Sequence, residues 1–174
     1  MVVVDGRIEQ APDCVNEAFG NFYLQPNGFF AVKANGDVVV AQRSAYVSPK
    51  CELRSSVKAF RFALQSGPML VVNDRLPRRF LAEKKDAPLY VRSGVGVGKD
   101  GVFSFALSLS EVSLGRFARF FKDRVGAVNA LYLDGRISRA YAPQSNWSLD
   151  DVRPFGGVLA VFAKPLKSKR APSE

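Results

Sequence analysis

Short apolar runs cut by turn residues make up most of the chain. VVV at 2–4 turns at Asp5-Gly6. GNFYL at 20–24 and GFFAV at 28–32 lead to the turn Asn35-Gly36-Asp37 and the apolar strand VVVA at 38–41. Alternating or continuous apolar runs of this length, bounded by Asp-Gly and Asn-Gly, predict antiparallel strands in a meander. A polar stretch from Gln42 to Lys58, with Pro49 inside it, interrupts the strands and offers a short helix near Ser44 to Val47. FRFAL at 60–64 and MLVV at 69–72 resume them. LYVR at 89–92 runs on into Val95, Gly96 and Val97, turns at Lys99-Asp100-Gly101, and returns as VFSFALSL.

One segment has helical period. Ser113 is a good N-cap, and Leu114, Phe117, Phe120, Phe121 and Val125 recur three and four apart before the stop at Gly126. The three phenylalanines are expected in the core. Arg116, Arg119 and Lys122 fall on the outward face, where a solvated surface is favoured over a nucleic-acid contact. After the helix, NALYL at 129–133 ends abruptly in Asp134-Gly135, followed by a strand-like ISRAY and a final strand near 157–163. The fold class is α+β: a mostly antiparallel, twisted sheet of short strands with the 113–125 helix packed on it. GVGVG at 94–98 looks like a phosphate cradle, but no helix follows it, and such a cradle needs a helix N-terminus directly after the glycines.

Composition narrows the chemistry. With 174 residues, 47% of them hydrophobic, the chain suits a single domain over 1–163 followed by a basic, flexible Pro/Ser-rich tail over 164–174. The longest apolar run, 158–163, is far short of the roughly 20 residues that span a bilayer. MVVVDGRIEQ has no basic segment followed by an apolar stretch, so a signal peptide is not expected at this N-terminus. Cys14 and Cys51 match no metal spacing and are either a pair or free thiols, with free thiols slightly favoured. There is no histidine, which removes Ser/His/Asp and Cys/His catalysis and every histidine-ligated zinc site. Chemistry is left to carboxylates, Arg, Lys, Tyr and amides. The net charge of +9 calls for an anionic partner: a phosphate ester, a nucleic acid or an acidic surface.

Four segments in order, GNFYLQPNGFF (20–30), ALQSGPMLV (63–71), RSGVGV (92–97) and NALYLDG (129–135), resemble the phosphodiester glycosidase domain family. That family includes the enzyme that uncovers mannose 6-phosphate signals and many bacterial proteins of unknown substrate. The resemblance runs from Gly20 to Phe162. It implies a hydrolase that splits the bond between a sugar's anomeric carbon and a phosphodiester, in a periplasmic or extracellular setting. It also implies one cleft formed by these motifs, with Asp134 and Arg92 catalytic and Asn27, Gln65, Ser66, Gly67, Asn129 and Ser138 binding substrate. Two features depart from the family pattern. An upstream strand carrying Asn-Ala-Gly is missing, and Arg136 and Ile137 stand where many members have further glycines.

These residue types suit that reaction. Positive charge grows on the sugar and negative charge on the departing phosphate, so a carboxylate belongs near the anomeric carbon and a cation near the phosphate. An Arg fork grips phosphate oxygens and keeps its proton. Phosphate leaves readily, so the lack of histidine is tolerable. Amides of Asn27, Gln65 and Asn129 can bind sugar hydroxyls or cap turns and strand ends. Ser66 has no base beside it and is read as a hydrogen-bond donor. Glu111 and Asp123 are candidates for a second carboxylate, Asp123 more plausibly on the helix surface. No cofactor is expected; Ca²⁺ or Mg²⁺ on Asp134 and amide oxygens stays open, without a dense acidic cluster to announce it. The rival readings are a non-catalytic glycan or cell-wall binding module on the same fold and, on charge alone, a nucleic-acid-binding protein.

Overall fold

A computed structural model describes residues 1–15, 19–82, 85–135, 138–149 and 158–162. Two antiparallel sheets lie against each other. The first contains β1 (Val2–Val4), β2 (Arg7–Gln10), β3 (Gly28–Lys33), β4 (Val38–Gln42) and β5 (Phe60–Ser66), in the order β2-β1-β5-β3-β4. The second contains β6 (Met69–Val71), β7 (Ser93–Val97), β8 (Phe103–Leu107) and β9 (Asn129–Asp134), in the order β6-β9-β7-β8. A hairpin of β10 (Ala140–Ala142) and β11 (Trp147–Leu149) stands apart.

Side-chain alternation builds the layers. Phe30, Val40, Phe62 and Leu64 of the first sheet meet Met69, Val95, Leu131 and Leu133 of the second. The first sheet's other face, with Val3, Phe29 and Ala63, is roofed by Val47, Val57 and the disulfide between Cys14 and Cys51. The second sheet's other face carries Leu70, Ala130 and Tyr132 and receives the helix. Phe29 and Phe121 have no exposed surface, and burying such a ring contributes about 2–3 kcal/mol.

The helical segment opens as expected. Ser113 caps α1 (Leu114–Arg119), its Oγ accepting from the Arg116 backbone N–H at 3.1 Å. The last turn, Phe120–Arg124, widens to π-type, and Gly126 ends it at φ +69°. Phe117 and Phe121 are buried, but Phe120 is 41% exposed, stacked on Phe117 at the rim of the core. The cationic face is tied to the protein: Lys122 Nζ lies 2.7 Å from Asp74, and Arg119 donates to the Leu81 carbonyl at 3.1 Å.

Gly94 and Gly96 make room for this helix. A Cβ on Gly94 would lie 3.0 Å from Phe121 and 3.1 Å from Phe117, and one on Gly96 would lie 2.7 Å from Phe121. Bare backbone lets aromatic rings rest directly on β7. These glycines therefore pack a helix against a strand.

Several expectations are corrected. Residues 20–24 form a 3₁₀ turn over Asn21–Tyr23, not a strand, because Tyr23 and Leu24 bond back to Gly20 and Asn21 and Pro26 cannot donate to a ladder. Residues 89–92 contribute only an isolated bridge, Tyr90 with Val112, and the strand begins at Ser93. Residues 158–162 form no strand: Leu159 packs into the inter-sheet core while Val158, Val161 and Phe162 are exposed. Gly157 and Ala163, the ends of that expected strand, and Ile137 in the expected strand before it lie outside the described residues, as does the expected 164–174 tail. Cys14 and Cys51 are paired, not free. Two segments distant in sequence fold over the same sheet face and bring their Cα atoms to 5.9 Å, within pairing range.

Candidate functional site

The chain passes from the first sheet to the second at Gly67-Pro68, and the ends of three strands gather there. β5 ends at Ser66, β9 ends at Asp134, and β7 starts at Ser93. Ser66 Oγ donates to the Leu133 carbonyl at 3.3 Å, and Tyr132 N–H donates to the Pro68 carbonyl at 3.0 Å. In the β7–β9 pairing Gly94 faces Tyr132 but Ser93 faces Asp134, so β9 holds one extra residue in this interval. A bulge of this kind bends a strand and re-aims its last side chain. The re-aimed side chain is Asp134.

Asp134 sits among hydroxyls. Ser138 Oγ lies 3.2 Å from its Oδ2 and 2.7 Å from Ser93 Oγ, and Ser93 Oγ donates to the Asp134 carbonyl at 3.4 Å. With the Ser93 proton used there, the Ser138 proton is available to the carboxylate or to Ser93. A half-buried carboxylate thus meets Ser138 at a strand end, while the strand partner Ser93 bonds its backbone.

Behind it lies a buried cation. Arg92 is 1% exposed, and its Nε and Nη2 donate to the carbonyls of Val112 (2.6 Å) and Pro88 (2.9 Å). Nη1 reaches the Tyr132 hydroxyl at 3.4 Å, and the guanidinium lies over the Tyr90 and Tyr132 rings at 5.3 and 5.6 Å. Among the described residues no carboxylate pairs with it. Burial draws its pKa below the usual arginine value, partly countered by Tyr132, but a guanidinium stays charged. The sequence suggested an open phosphate fork; two arms of the fork are instead spent on backbone carbonyls.

Tyr132, 4% exposed, completes the group. Its oxygen accepts from Arg92 and, at 3.4 Å, from Asn21 Nδ2. Burial pushes the phenol pKa upward, Arg92 and Asn21 pull it back, and the Asp134 charge adds to the rise. The net rise keeps the phenol protonated at neutral pH, and among the described residues its own proton has no acceptor. The hydroxyl presses on Gly135, where a Cβ would collide with it and would come within 3.6 Å of Arg92 Nη1.

Gln65 and Asn27 belong to a neighbouring network. Gln65 Oε1 accepts from the Asp13 N–H (2.9 Å) and the Met1 nitrogen (3.0 Å); Nε2 donates to the Asp13 carbonyl (2.6 Å) and Asn27 Oδ1 (3.3 Å). Asn27 Nδ2 bonds the carbonyls of Phe22 and Leu24. Gly67 is bare because a Cβ there would strike Asn27 and sit 2.7 Å from the Phe22 carbonyl. Both amides are buried with their capacity taken up.

Seven of the eight residues named from sequence therefore lie at one end of the sheets: Asn27, Gln65, Ser66, Gly67, Arg92, Asp134 and Ser138. Asn129 does not. It opens β9, roughly 16 Å along the strand from Asp134, and its Oδ1 caps the Asn73 N–H at 2.9 Å. Glu111 and Asp123 are both exposed, Asp123 on the helix surface. Sequence reading missed Ser93, which bonds the Asp134 carbonyl, Tyr132, whose phenol feels the Asp134 charge, and Asn21, which donates to Tyr132. Tyr132 was legible as a polar tip in an apolar strand two residues before it; no local signal marks Asn21. No three His, Cys, Asp or Glu side chains gather to hold a metal among the described residues.

A profile of the phosphodiester glycosidase family matches residues 1–162. The chain belongs to the phosphodiester glycosidase family. It is also 34% identical over 126 residues to the uncharacterized protein YigE of Escherichia coli (strain K12), an alignment covering 70% of this chain. The aligned region is 44% of that relative's length, so the chain spans less than half of it.

Replacing Arg92 with Lys tests the buried fork. Lysine keeps the charge but cannot serve both the Val112 and Pro88 carbonyls, and a stranded buried acceptor costs about 1–3 kcal/mol. Urea unfolding of Arg92→Lys should show a loss of about 2 kcal/mol.

Proposed function

We propose that the protein hydrolyses the bond between a sugar's anomeric carbon and the phosphate of a phosphodiester. One observation carries this reading: a carboxylate, Asp134, and a buried cation without a carboxylate partner among the described residues, Arg92, flank the same small residue, Gly135. That pairing suits a reaction in which opposite charges separate over a few ångströms.

In this scheme Asp134 faces the positive charge that develops at the anomeric carbon, with Ser138 fixing its orientation. Water supplies the oxygen that replaces phosphate on the sugar, and the electron pair of the broken C–O bond leaves with the phosphate. Tyr132 offers its unclaimed proton as a hydrogen bond to the departing oxygen, and Arg92 polarises that phenol and lends its field. The substrate is a glycosyl phosphodiester or a phosphorylated glycan, and the Cys14–Cys51 bond suits an oxidising, periplasmic or extracellular setting.

A second reading, a binding module on the same fold, draws support from the Arg92 arms spent on backbone carbonyls. A panel of sugar-1-phosphodiesters separates the two. Free sugar accumulating in step with phosphomonoester supports hydrolysis; saturable binding with no product supports the module.

A further inference from the structure

The segment 11–15 lies across the first sheet and meets the site chiefly through Gln65. Its inner end, Asp13, exchanges two hydrogen bonds with the Gln65 amide, and its carbonyl also accepts from Arg43 Nη1 at 3.0 Å. Gln65 passes the constraint to Asn27, which holds the carbonyls of Phe22 and Leu24 and packs against Gly67. The same turn carries Asn21, whose amide donates to Tyr132. A continuous set of contacts thus runs from Asp13 to the phenol beside Asp134.

The residue after Asp13 is Cys14. Its bond to Cys51, 37 positions along the chain, anchors this segment to the 42–54 loop. Both cysteines are half-buried, and Cys14 lines a cavity of about 370 Å³ together with Arg43, Ser44, Ser48 and Arg54. A small thiol can enter there, and two guanidiniums favour the thiolates that exchange requires and releases.

We propose that residues 11–15 are a strap that positions the site through Gln65 and Asn27, and that reductive opening of Cys14–Cys51 releases it. Gln65 and Asn27 are on this account positioning residues and not sugar ligands. The opening is ordinary exchange with a dithiol. One thiolate of the reductant attacks a cystine sulfur and displaces the other as a thiolate. The second thiol then closes the reductant into its own disulfide. Two electrons pass to the cystine, and Cys14 and Cys51 take up the two protons.

The consequence for turnover rests on the glycosidase reading; the positioning itself does not. Backbone hydrogen exchange is therefore measured on the oxidised protein, on the protein reduced with dithiothreitol, and on Gln65→Glu with its disulfide intact. Glutamate can still accept from the Asp13 N–H but cannot donate to Asp13 or Asn27. Exchange at Leu24 and Asn27 should quicken at least tenfold in both altered forms, and at Asp13 on reduction, while Leu131 in β9 stays unchanged as the control for folding. On substrate the same forms should lose on the order of 10²-fold in kcat/KM, as misplaced groups do. Quickened exchange without turnover in any form would uphold the strap and count against the glycosidase reading. Unchanged exchange at Leu24 and Asn27 after reduction would overturn the strap, whatever the activity.

Discussion

Asp134→Asn is expected to abolish sugar release while leaving the fold intact. The asparagine is nearly the same size, can keep the Ser138 contact, and leaves the backbone pairing with Ser93 undisturbed. What it loses is the negative charge that the proposed mechanism sets against the anomeric carbon. Removing one member of a catalytic group commonly costs 10³-fold or more, so a fall of at least about 10³ in kcat, or ~4 kcal/mol of transition-state stabilisation, is predicted. Steady-state assays with thermal unfolding on the same samples check it. Ser138→Ala, which removes only an orienting hydroxyl, should fall between the variant and the native protein. A fully active Asp134→Asn would remove this carboxylate from the chemistry.

The largest stability effect is expected at Gly96→Val. The new Cβ would lie 2.7 and 3.0 Å from Phe121 ring carbons and 3.0 Å from Ala127 Cβ, before the two valine methyls are counted. Phe121 has little room to yield, with the edges of Phe117 and Phe120 against it at centroid distances of 5.2 and 5.7 Å. Overpacking a filled core costs about 1–3 kcal/mol and at times more, so a loss of about 3 kcal/mol is expected. For a domain of this size that is a drop of roughly 10 °C in Tm. Calorimetry should show it, with α1 lifted from β7 in the variant's structure.

How far the sequence reached can be seen element by element. β3, β4, β7, β8 and β9 were legible because an Asn-Gly or Asp-Gly turn bounds each apolar run on one side, and the helix because its phenylalanines keep a helical period. β2 left no trace: Arg7, Ile8, Glu9 and Gln10 are all exposed on a sheet edge and have no apolar alternation. The 20–24 turn read as a strand because its aromatic composition resembles one, while the bonds that curl it depend on Gly20 and Pro26. The Cys14–Cys51 pair depends on two loops meeting over one sheet face, which spacing alone does not encode.

The site divides in the same way. Asp134 was visible as a carboxylate ending an apolar strand, yet Asp-Gly is also a common turn, and the resemblance was needed to favour it. The bulge that turns Asp134 toward Ser138 is a property of the β7–β9 register and so lies beyond local pattern. Arg92 was named from its motif, but its burial against Tyr90 and Tyr132 was not legible, because three of its bonds go to residues separated from it by 4, 20 and 40 positions. Asn129 was named with its motif and stands at the opposite end of β9 from Asp134.

The central claim is that the bond broken joins the sugar to oxygen. Hydrolysis of a sugar-1-phosphodiester in ¹⁸O-enriched water tests it most directly, with both products read by mass spectrometry. The account predicts the label in the free sugar and none in the phosphomonoester. Label in the phosphate would mean that the P–O bond is cut, which would contradict a glycosidase built on Asp134.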